Sequence, residues 1–252
     1  MAVQDDHERV LMLVKALPHV GDKHGETICC AGVTLDRQWR RQFPITFRYL
    51  ENQKFSRWQW IEYRWRKPTD DKRPESQRVQ DGTIIPGPKM PKRERANFLN
   101  PLVVASTSEA ADSSKTLALI RPENPVFSFK KKRADKIDNE RRDYAAAASQ
   151  LSFFTKQQKP LEPFPYAFRF KYTTKDGPHD HLCGDWETAA MYFRFEKLYG
   201  VKKALKLMDE TFNLEYPKNG MVFAMGTDSR YPSKWLLVGV IRLDEEDQIP
   251  LL

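Results

Sequence analysis

Apolar and polar positions along the first quarter of the chain follow a pattern that predicts β-strands. An almost continuous apolar run covers Arg9–Leu17, which has the length of a buried strand, although a short helix fits the same run. Thr27–Thr34 has strand composition, and the segment from Asp36 turns into a second strand that continues to Phe47, which predicts a hairpin. Together with Trp58–Arg66, these strands indicate a small curled sheet or barrel.

The period-two pattern of Trp58–Arg66 assigns its side chains to two faces. Ile61, Tyr63 and Trp65 share the face that we expect in the core. The opposite face carries Trp58, Trp60, Glu62, Arg64 and Arg66. We expect this second face to be open to a partner.

The middle of the chain contains two proline-rich breaks. Lys67–Arg95 has five prolines and many charges, which predicts a loop or an extended linker because proline fixes φ and removes a donor. The second break is Lys159–Pro165. Between the breaks the pattern predicts a short helix within Ala96–Ala111, strands at Thr116–Ile120 and Val126–Phe129, and a basic helix over Lys130–Gln150.

The last third of the chain predicts a mixed lobe. Its elements are a strand (Tyr166–Thr173), two helices on either side of Gly200 (Asp185–Tyr199 and Val201–Asn213), and a hairpin that pairs Met221–Thr227 with Trp235–Leu243. The predicted fold class is therefore α+β: a β-rich N-terminal sheet or small barrel plus a C-terminal strand–helix–helix–hairpin lobe. We expect segments at residues 1–66, 67–165 and 166–252. They could form one merged domain, because the apolar strands at the two ends of the chain could join one sheet.

Composition adds an expected partner and compartment. Hydrophobic residues make up 40% of the 252 residues, which suffices for a large core. The net charge of +8 and the pI near 9.3 favour an acidic partner such as nucleic acid. Three cysteines, two of them adjacent, indicate reduced thiols rather than a disulfide framework. With no signal peptide in the first residues and no membrane-length apolar run, we expect a cytoplasmic protein without a membrane segment.

Aromatic and basic residues are interleaved in the N-terminal third of the chain. Cations can meet phosphates while aromatic rings stack on unpaired bases, so this pairing is typical of nucleic-acid binding. The same residues could form a strand core with solvated arginines, and the basic run at 130–133 could be a solvated face. The candidate nucleic-acid-binding residues are Arg40, Arg41, Trp58, Trp60, Arg64, Arg66, Lys130, Lys131, Lys132, Arg133, Arg230 and Lys234.

A second candidate site lies in the segment HDHLCGDWE, which contains His179, His181, Cys183, Asp185 and Glu187. These residue types are metal ligands, but no second ligand motif completes a four-ligand site, so we predict neither a metal nor a cofactor. A helix that begins at Asp185 would favour an anion at its N-terminus. The alternative is structural, with Asp185 as an N-cap and the histidines on an exposed turn.

A catalytic hypothesis combines His179, Asp185 and Glu187 with the Cys29 thiol. Histidine beside carboxylates can act as a general base, and cysteine as a nucleophile. Asp71–Ser76 could add paired carboxylates, although salt-bridged loop anchoring is the commoner role of such a stretch. The sequence contains no phosphate-binding P-loop, dinucleotide fingerprint, nucleophile elbow or HExxH helix, which argues against the corresponding enzyme classes.

Several blocks resemble a family of uncharacterised bacterial proteins of similar length. The matching blocks are Gly25–Thr34, Trp39–Leu50, Lys54–Tyr63, Asp70–Ser76, Leu117–Pro122, Gly177–Glu187 and Gly226–Val240. The resemblance spans most of the chain and implies an architecture more than an activity. In the last third, His179 and the Asp-Trp-Glu triplet from Asp185 fit the family pattern, whereas Asp176 stands where that pattern has cysteine, which counts against a metal site.

Three functional hypotheses follow. The first is a nucleic-acid-binding protein that serves as a sensing or targeting subunit in bacterial genome maintenance or phage defence. The second is an enzyme that acts on a nucleotide or nucleic acid with its site at a helix N-terminus. The third is an assembly subunit whose exposed aromatic residues bury against a protein partner.

Overall fold

The computed structural model describes residues 6–21, 25–46, 55–152 and 160–245, and their fold is mixed α+β as predicted. The N-terminal elements are β1 (Asp6–Lys15), β2 (His19–Gly21), β3 (Gly25–Val33), β4 (Trp39–Thr46), β5 (Gln59–Arg66), β6 (Ser76–Val79), β7 (Ile85–Lys89) and helix α1 (Lys92–Leu99). The predicted strand end at Phe47 and the start of the second break at Lys159 lie outside the described residues.

Five of these strands close into a barrel, which confirms the barrel alternative of the sequence prediction. β1 pairs with β3, β3 with β4, β4 with β6, β6 with β5, and β5 with β1. Every pair is antiparallel except β4–β6, which is parallel. This is the connectivity of the OB-fold, a five-stranded Greek-key barrel. β2 pairs beside β3, and β7 pairs beside β5.

The continuous apolar run of the first strand reflects burial of β1 on both faces. Val10 and Met12 point into the barrel, whereas Leu11 and Leu13 point outward into a second core. The barrel interior contains Val10, Met12, Ile28, Cys30, Ile45, Phe55, Ile61, Tyr63, Val79 and Ile84. The predicted core positions Ile61 and Tyr63 are therefore confirmed.

Two further sheets and a long helix form the C-terminal part. Its elements are β8 (Val103–Val104), α2 (Thr107–Asp112), β9 (Leu117–Ile120), β10 (Glu123–Lys131), α3 (Ala134–Ser152), β11 (Tyr166–Thr174), β12 (Gly177–Leu182), α4 (Trp186–Glu210), α5 (Tyr216–Lys218), β13 (Met221–Thr227) and β14 (Trp235–Arg242). One sheet has the order β10-β11-β12 and the other β14-β13-β9-β8. Within α4, Gly200 has a φ of 76°, so the two predicted helices are present and meet at a kink. Among the described helices, none is long and apolar enough to cross a membrane.

The sheet β14-β13-β9-β8 packs against the outer face of β1 and β3, and we call this contact the seam. Its core joins Leu11 and Val33 of the barrel to Ala224 and Ile241 of the hairpin. The backbones approach closely, since a Cβ added at Gly239 would lie 3.2 Å from Val14 Cγ2. The N- and C-terminal sheets thus share a core but remain separate sheets.

Three local predictions differ from the structure. The segment predicted as a linker contains β6 and β7, and Pro86 and Pro88 are tolerated in β7 because it pairs on one side only, with β5. Lys130 and Lys131 complete β10, and the helix after them begins at Ala134. The histidines expected on a turn lie in β12.

Candidate nucleic-acid interface

An open cavity lies on the outer face of the barrel, beyond the edge of the seam. Its floor contains Thr27 and Cys29 of β3 and Arg41 and Phe43 of β4, and its volume is about 400 Å³. The alternation of β3 sets this orientation, because Ile28 points into the barrel core. Phe43 is 41% exposed, so its ring offers a surface for stacking.

Two loops form the walls of this cavity. The loop between β5 and β6 contributes Asp70, Asp71 and Arg73, and the hairpin loop between β13 and β14 contributes Asp228. Arg73 holds the two loops together, because its Nη2 donates to Asp71 at 2.6 Å and its Nη1 donates to the Thr227 carbonyl at 2.8 Å. In OB-folds, oligonucleotides bind on the second and third strands and on the loop between the fourth and fifth strands. The cavity occupies the equivalent position.

The carboxylates of the wall are held ionised by neighbouring arginines. Burial by itself raises the pKa of Asp71, but hydrogen bonds from Arg73 and Ser76 outweigh it and lower the pKa to about 2. The hydrogen bond from Arg78 lowers the pKa of Asp70. Each of these acids is therefore compensated by a guanidinium, which reduces its repulsion of an anionic ligand.

A row of arginines approaches the cavity along the outside of the barrel, and we call Arg64, Arg66 and Arg78 the arginine stripe. Arg66 and Arg78 are cross-strand partners in the β5–β6 pair, so their side chains share a face. Arg64 and Arg66 are exposed, as the alternation predicted. In the described part of the chain neither of them forms an ion pair, so both charges face solvent without an acidic partner.

The hairpin loop adds exposed cations and an aromatic ring opposite the stripe. Arg230 and Lys234 are exposed, and Tyr231 is 61% exposed. The backbone N–H of Arg230 is the main cause of the lowered pKa of Asp228, and the Arg230 side chain lies 3.6 Å from that carboxylate. The loop therefore presents basic and aromatic side chains next to Asp228 and Ser229, which line the cavity.

Two predicted contact arginines of β4 serve the fold. Arg41 is buried, where its Nη2 lies 3.3 Å from the Glu75 carboxylate and donates to the Thr116 carbonyl at 3.0 Å. The neighbouring Arg40 pairs with Glu8 at 2.6 Å. Arg41 lies outside the barrel, but the C-terminal part covers most of its side chain, so the prediction that it contacts a partner is wrong.

The predicted aromatic contacts also pack largely inside. Trp58 is buried in the seam core, and the Arg95 guanidinium lies 4.5 Å from its ring centroid. Its φ of 69° places it before the start of β5, so the period-two pattern does not extend to it. Trp60 is half-buried and contacts Phe98 edge-on. This arrangement corrects the expectation that Trp58 faces a partner.

The basic run from Lys130 is divided between two elements. Lys130 and Lys131 are exposed at the end of β10, whereas Lys132 pairs with Glu140 of α3 at 2.8 Å. Arg133 pairs with Asp135 at 3.0 Å. The segment therefore carries less open positive charge than its sequence indicates.

Asp185 is the centre of a buried polar network. It is the N-cap of α4, as the structural alternative predicted, and accepts hydrogen bonds from the Glu187 N–H and the Thr188 hydroxyl. Its carboxylate also accepts from Arg57 Nη2 at 2.7 Å and from the Val240 N–H at 3.2 Å. All four donors point at one fully buried carboxylate, so its hydrogen-bonding capacity is used within the fold.

Glu187 and Arg57 extend this network across the seam. Burial alone raises the pKa of Glu187, but Arg57 and Lys15 outweigh it and lower the pKa, and Lys15 Nζ lies 3.5 Å from the Glu187 carboxylate. Arg57 also donates to the carbonyls of Leu13 and Val240. The network therefore joins the barrel, the hairpin and the N-terminus of α4.

The two histidines of β12 have partners of their own. His179 Nε2 lies 2.7 Å from the Thr174 hydroxyl, and His181 Nδ1 lies 3.1 Å from the Tyr172 hydroxyl. Both imidazoles stack on the Tyr172 ring. Among the described residues, His179 forms no hydrogen bond, ion pair or ring contact with Glu187 or Cys29, so the structure does not bring the predicted catalytic residues together. Within the described residues there is no cluster of three side chains suited to a metal ion.

Comparison with known proteins identifies the two halves of the chain. A family model described as Domain of unknown function (DUF8757) matches residues 103–251. The chain belongs to the DUF8757 family. A second model, Domain of unknown function (DUF8758), matches residues 6–101. These matches confirm the predicted resemblance to an uncharacterised family.

Comparisons beyond these two models add little. No curated protein matches the chain. A solved structure titled "Molecular basis for abrogation of activation of pro-inflammatory cytokines" aligns with 71% of this chain and 75% of that chain, at 13% identity and a TM-score of 0.32. That TM-score is too low to support an argument about fold or function.

The cavity lies between the DUF8758 and DUF8757 segments and includes residues that the sequence did not single out as ligand contacts. Phe43 and Arg78 are among them, since only the parallel β4–β6 pairing brings their strands together. In the sequence Arg73 belongs to a charged loop and has no signal of its own. The loop blocks Asp70–Ser76 and Gly226–Val240 were visible in the sequence, but nothing in it showed that they face each other.

Proposed function

We propose that this protein binds nucleic acid across the open outer face of the barrel, between the β5–β6 loop and the β13–β14 hairpin loop. The observation that carries the proposal is the position of the cavity, which lies where OB-folds bind oligonucleotides. Fold likeness alone supports no function. The proposal therefore rests also on the side chains around the cavity.

Those side chains supply the positive charge and the aromatic rings that bind single-stranded nucleic acid. The arginine stripe offers two charges without acidic partners in the described residues, and the hairpin adds Arg230 and Lys234. Phe43 and Tyr231 expose rings beside these cations. Single-strand binding proteins combine a basic path for the backbone with aromatic surfaces for the bases. The net charge of +8 favours the same partner at long range.

The contacts around the predicted catalytic residues support a protein that binds nucleic acid without reacting with it. His179, Glu187 and Cys29 have separate partners, and the Asp185 carboxylate is fully engaged. A sensing or targeting subunit needs affinity and a partner complex, and it needs no reacting group. We therefore keep the proposed role in genome maintenance or phage defence as that of a binding subunit.

The test is fluorescence anisotropy with a labelled 12-nucleotide single strand, titrated at several salt concentrations. For single strands the logarithm of affinity falls with log salt by about 0.7 per neutralised phosphate. The double charge reversal Arg64→Glu and Arg66→Glu should weaken binding and reduce the slope by roughly 1.4, which corresponds to two lost phosphate contacts. Competition with duplex DNA and with RNA of the same sequence gives the preferred form.

The matched control is Lys171→Glu with Lys175→Glu, which makes the same change of net charge on the β10-β11-β12 sheet. Both lysines are exposed there. The control variant should lose only the small part of the binding affinity that comes from long-range attraction by net charge. Equal losses of affinity in the two double variants, or the absence of binding by the natural chain at micromolar concentration and low salt, would refute the proposed interface.

A further inference from the structure

A second cavity adjoins the first at the edge of the seam. Its volume is about 410 Å³, and it shares Ala16, Leu17 and Leu236 with the cavity on the barrel face. These three residues therefore stand between the two cavities. The second cavity adjoins the polar barrel face on the side of the C-terminal part.

The walls of the second cavity are mainly apolar and aromatic. β11 and the residues before it contribute Phe164, Tyr166 and Phe168, and the end of β12 contributes Leu182. Phe164 and Tyr166 are only half-buried, and Leu182 is 54% exposed. An open concave surface lined by aromatic side chains with a few polar groups is the usual form of a ligand site.

The polar groups at this cavity are mainly on α3. Lys136 is exposed at its rim, and Lys132 lies 2.8 Å from Glu140 and 6.0 Å from the Phe164 ring centroid. Asp185 also lines the cavity, but its carboxylate is fully used in the network that joins it to Arg57. The site therefore offers aromatic surface inside and lysine charge at the opening.

We infer that the second cavity accepts one unstacked nucleobase from a strand that lies in the first cavity, with Lys136 next to the phosphate of that nucleotide. This inference rests on the proposed function. Two features favour a base over an acyl chain or an apolar peptide side chain. The cavity adjoins the proposed path of the backbone, and a cation stands at its opening. The predicted substrate class is thus a strand with at least one unpaired base.

The experiment compares two 12-mers of equal charge with the full-length protein, one carrying thymine at every position and one made of abasic residues. Stacking of a base on aromatic side chains should make the thymine strand bind about tenfold or more tightly than the abasic strand. Ala167→Trp places a large ring in the cavity from β11, and it should reduce this preference while leaving the salt slope unchanged, because stacking on Phe43 and Tyr231 is retained. Leu182→Trp fills the same cavity from β12, where exposure makes the change easy to accommodate.

The matched control is Ala111→Trp, the same substitution at an exposed position of α2. It should bind both strands as the natural chain does, and circular dichroism of all variants checks that they fold. If both cavity-filling variants keep the full preference for thymine, the base pocket is wrong although the interface stands. If the natural chain binds thymine and abasic strands equally, the pocket is also wrong. If it binds neither strand, the proposed function and this inference fail together.

Discussion

Replacing the buried Asp185 carboxylate with its neutral isostere tests the polar network that joins the two halves of the chain. In Asp185→Asn the side chain keeps its shape, but its N–H₂ must replace one of the two acceptors: Oδ1, to which Arg57 Nη2 donates, or Oδ2, to which the Val240 N–H donates. Burial by itself lowers the pKa of the Arg57 guanidinium, but the neighbouring carboxylates keep that pKa above its ordinary value. The variant therefore leaves a buried charge without its main partner.

The size of the loss in unfolding free energy distinguishes a buried ion-pair role of Asp185 from simple helix capping. Loss of an N-cap costs about 1 kcal/mol, whereas removing one partner of a buried ion pair costs about 3–5 kcal/mol. We expect the larger value, because the Asp185 side chain is fully buried and accepts four hydrogen bonds. For a chain of this size the melting temperature should fall by roughly 10 °C.

Urea unfolding followed by tryptophan fluorescence and circular dichroism measures the free-energy change. Asp209→Asn is the matched control, since it makes the same chemical change at an exposed position of the same helix and should cost less than about 0.5 kcal/mol. Adding Arg57→Met to Asp185→Asn should cost less than the sum of the single changes by about 1–3 kcal/mol. A loss within about 1 kcal/mol for Asp185→Asn would show that Asp185 only caps the helix.

Three further outcomes follow from individual side chains. The pKa of Asp71 falls from its ordinary 3.8 to about 2 in the folded chain. The stability that ionised Asp71 adds is therefore present above pH 3.8 and is lost as the pH falls toward 2. Over that range the difference in urea midpoint between the natural chain and Asp71→Asn should shrink. Cys29 should react with N-ethylmaleimide faster than Cys30 and Cys183, because burial raises the thiol pKa values of those two residues. A bound single-stranded nucleic acid should protect Cys29 from this reaction. Mass spectrometry identifies the modified residue, and a fast-reacting thiol that is still present in Cys29→Ser would contradict this prediction. Gly32→Ala would place a Cβ 2.4 Å from the Leu11 carbonyl oxygen, so urea unfolding should show a loss of at least about 1–3 kcal/mol, and an unchanged midpoint would show that the strands separate easily.

Elements with strong local patterns could be predicted from the sequence. The hairpin strands Met221–Thr227 and Trp235–Arg242 lie within one residue of their predicted limits, because both are apolar runs bounded by turn residues. Gly200 separated the two helices of α4 as expected, since a φ of 76° suits glycine. These features depend on residues close together in the chain.

Features that depend on distant pairing could not be predicted in the same way. β6 and β7 are short, and β7 contains two prolines, so only their partners in the barrel make them strands. Trp58 and Arg41 were predicted at a contact surface, but Trp58 is buried in the seam core and Arg41 is buried against Glu75 and Thr116. Arg64 and Arg66 were predicted correctly as exposed, because the alternation of β5 continues without interruption to its end. The cavity itself has no local signature, since two loops about 150 residues apart in the chain form its walls.

The seam explains why the proposed interface is short. In the barrel the outer face of β3 and β4 could present a continuous surface, but the C-terminal sheet covers Ala31 and Val33 at one end. Only the part of that face around Cys29 and Phe43 stays open, and the hairpin loop then adds a second wall to it. A nucleic-acid strand that binds there would contact both family segments at once. Because Arg73 and Arg57 hold these segments together from the barrel side, the geometry of the interface depends on the same contacts that stabilise the fold.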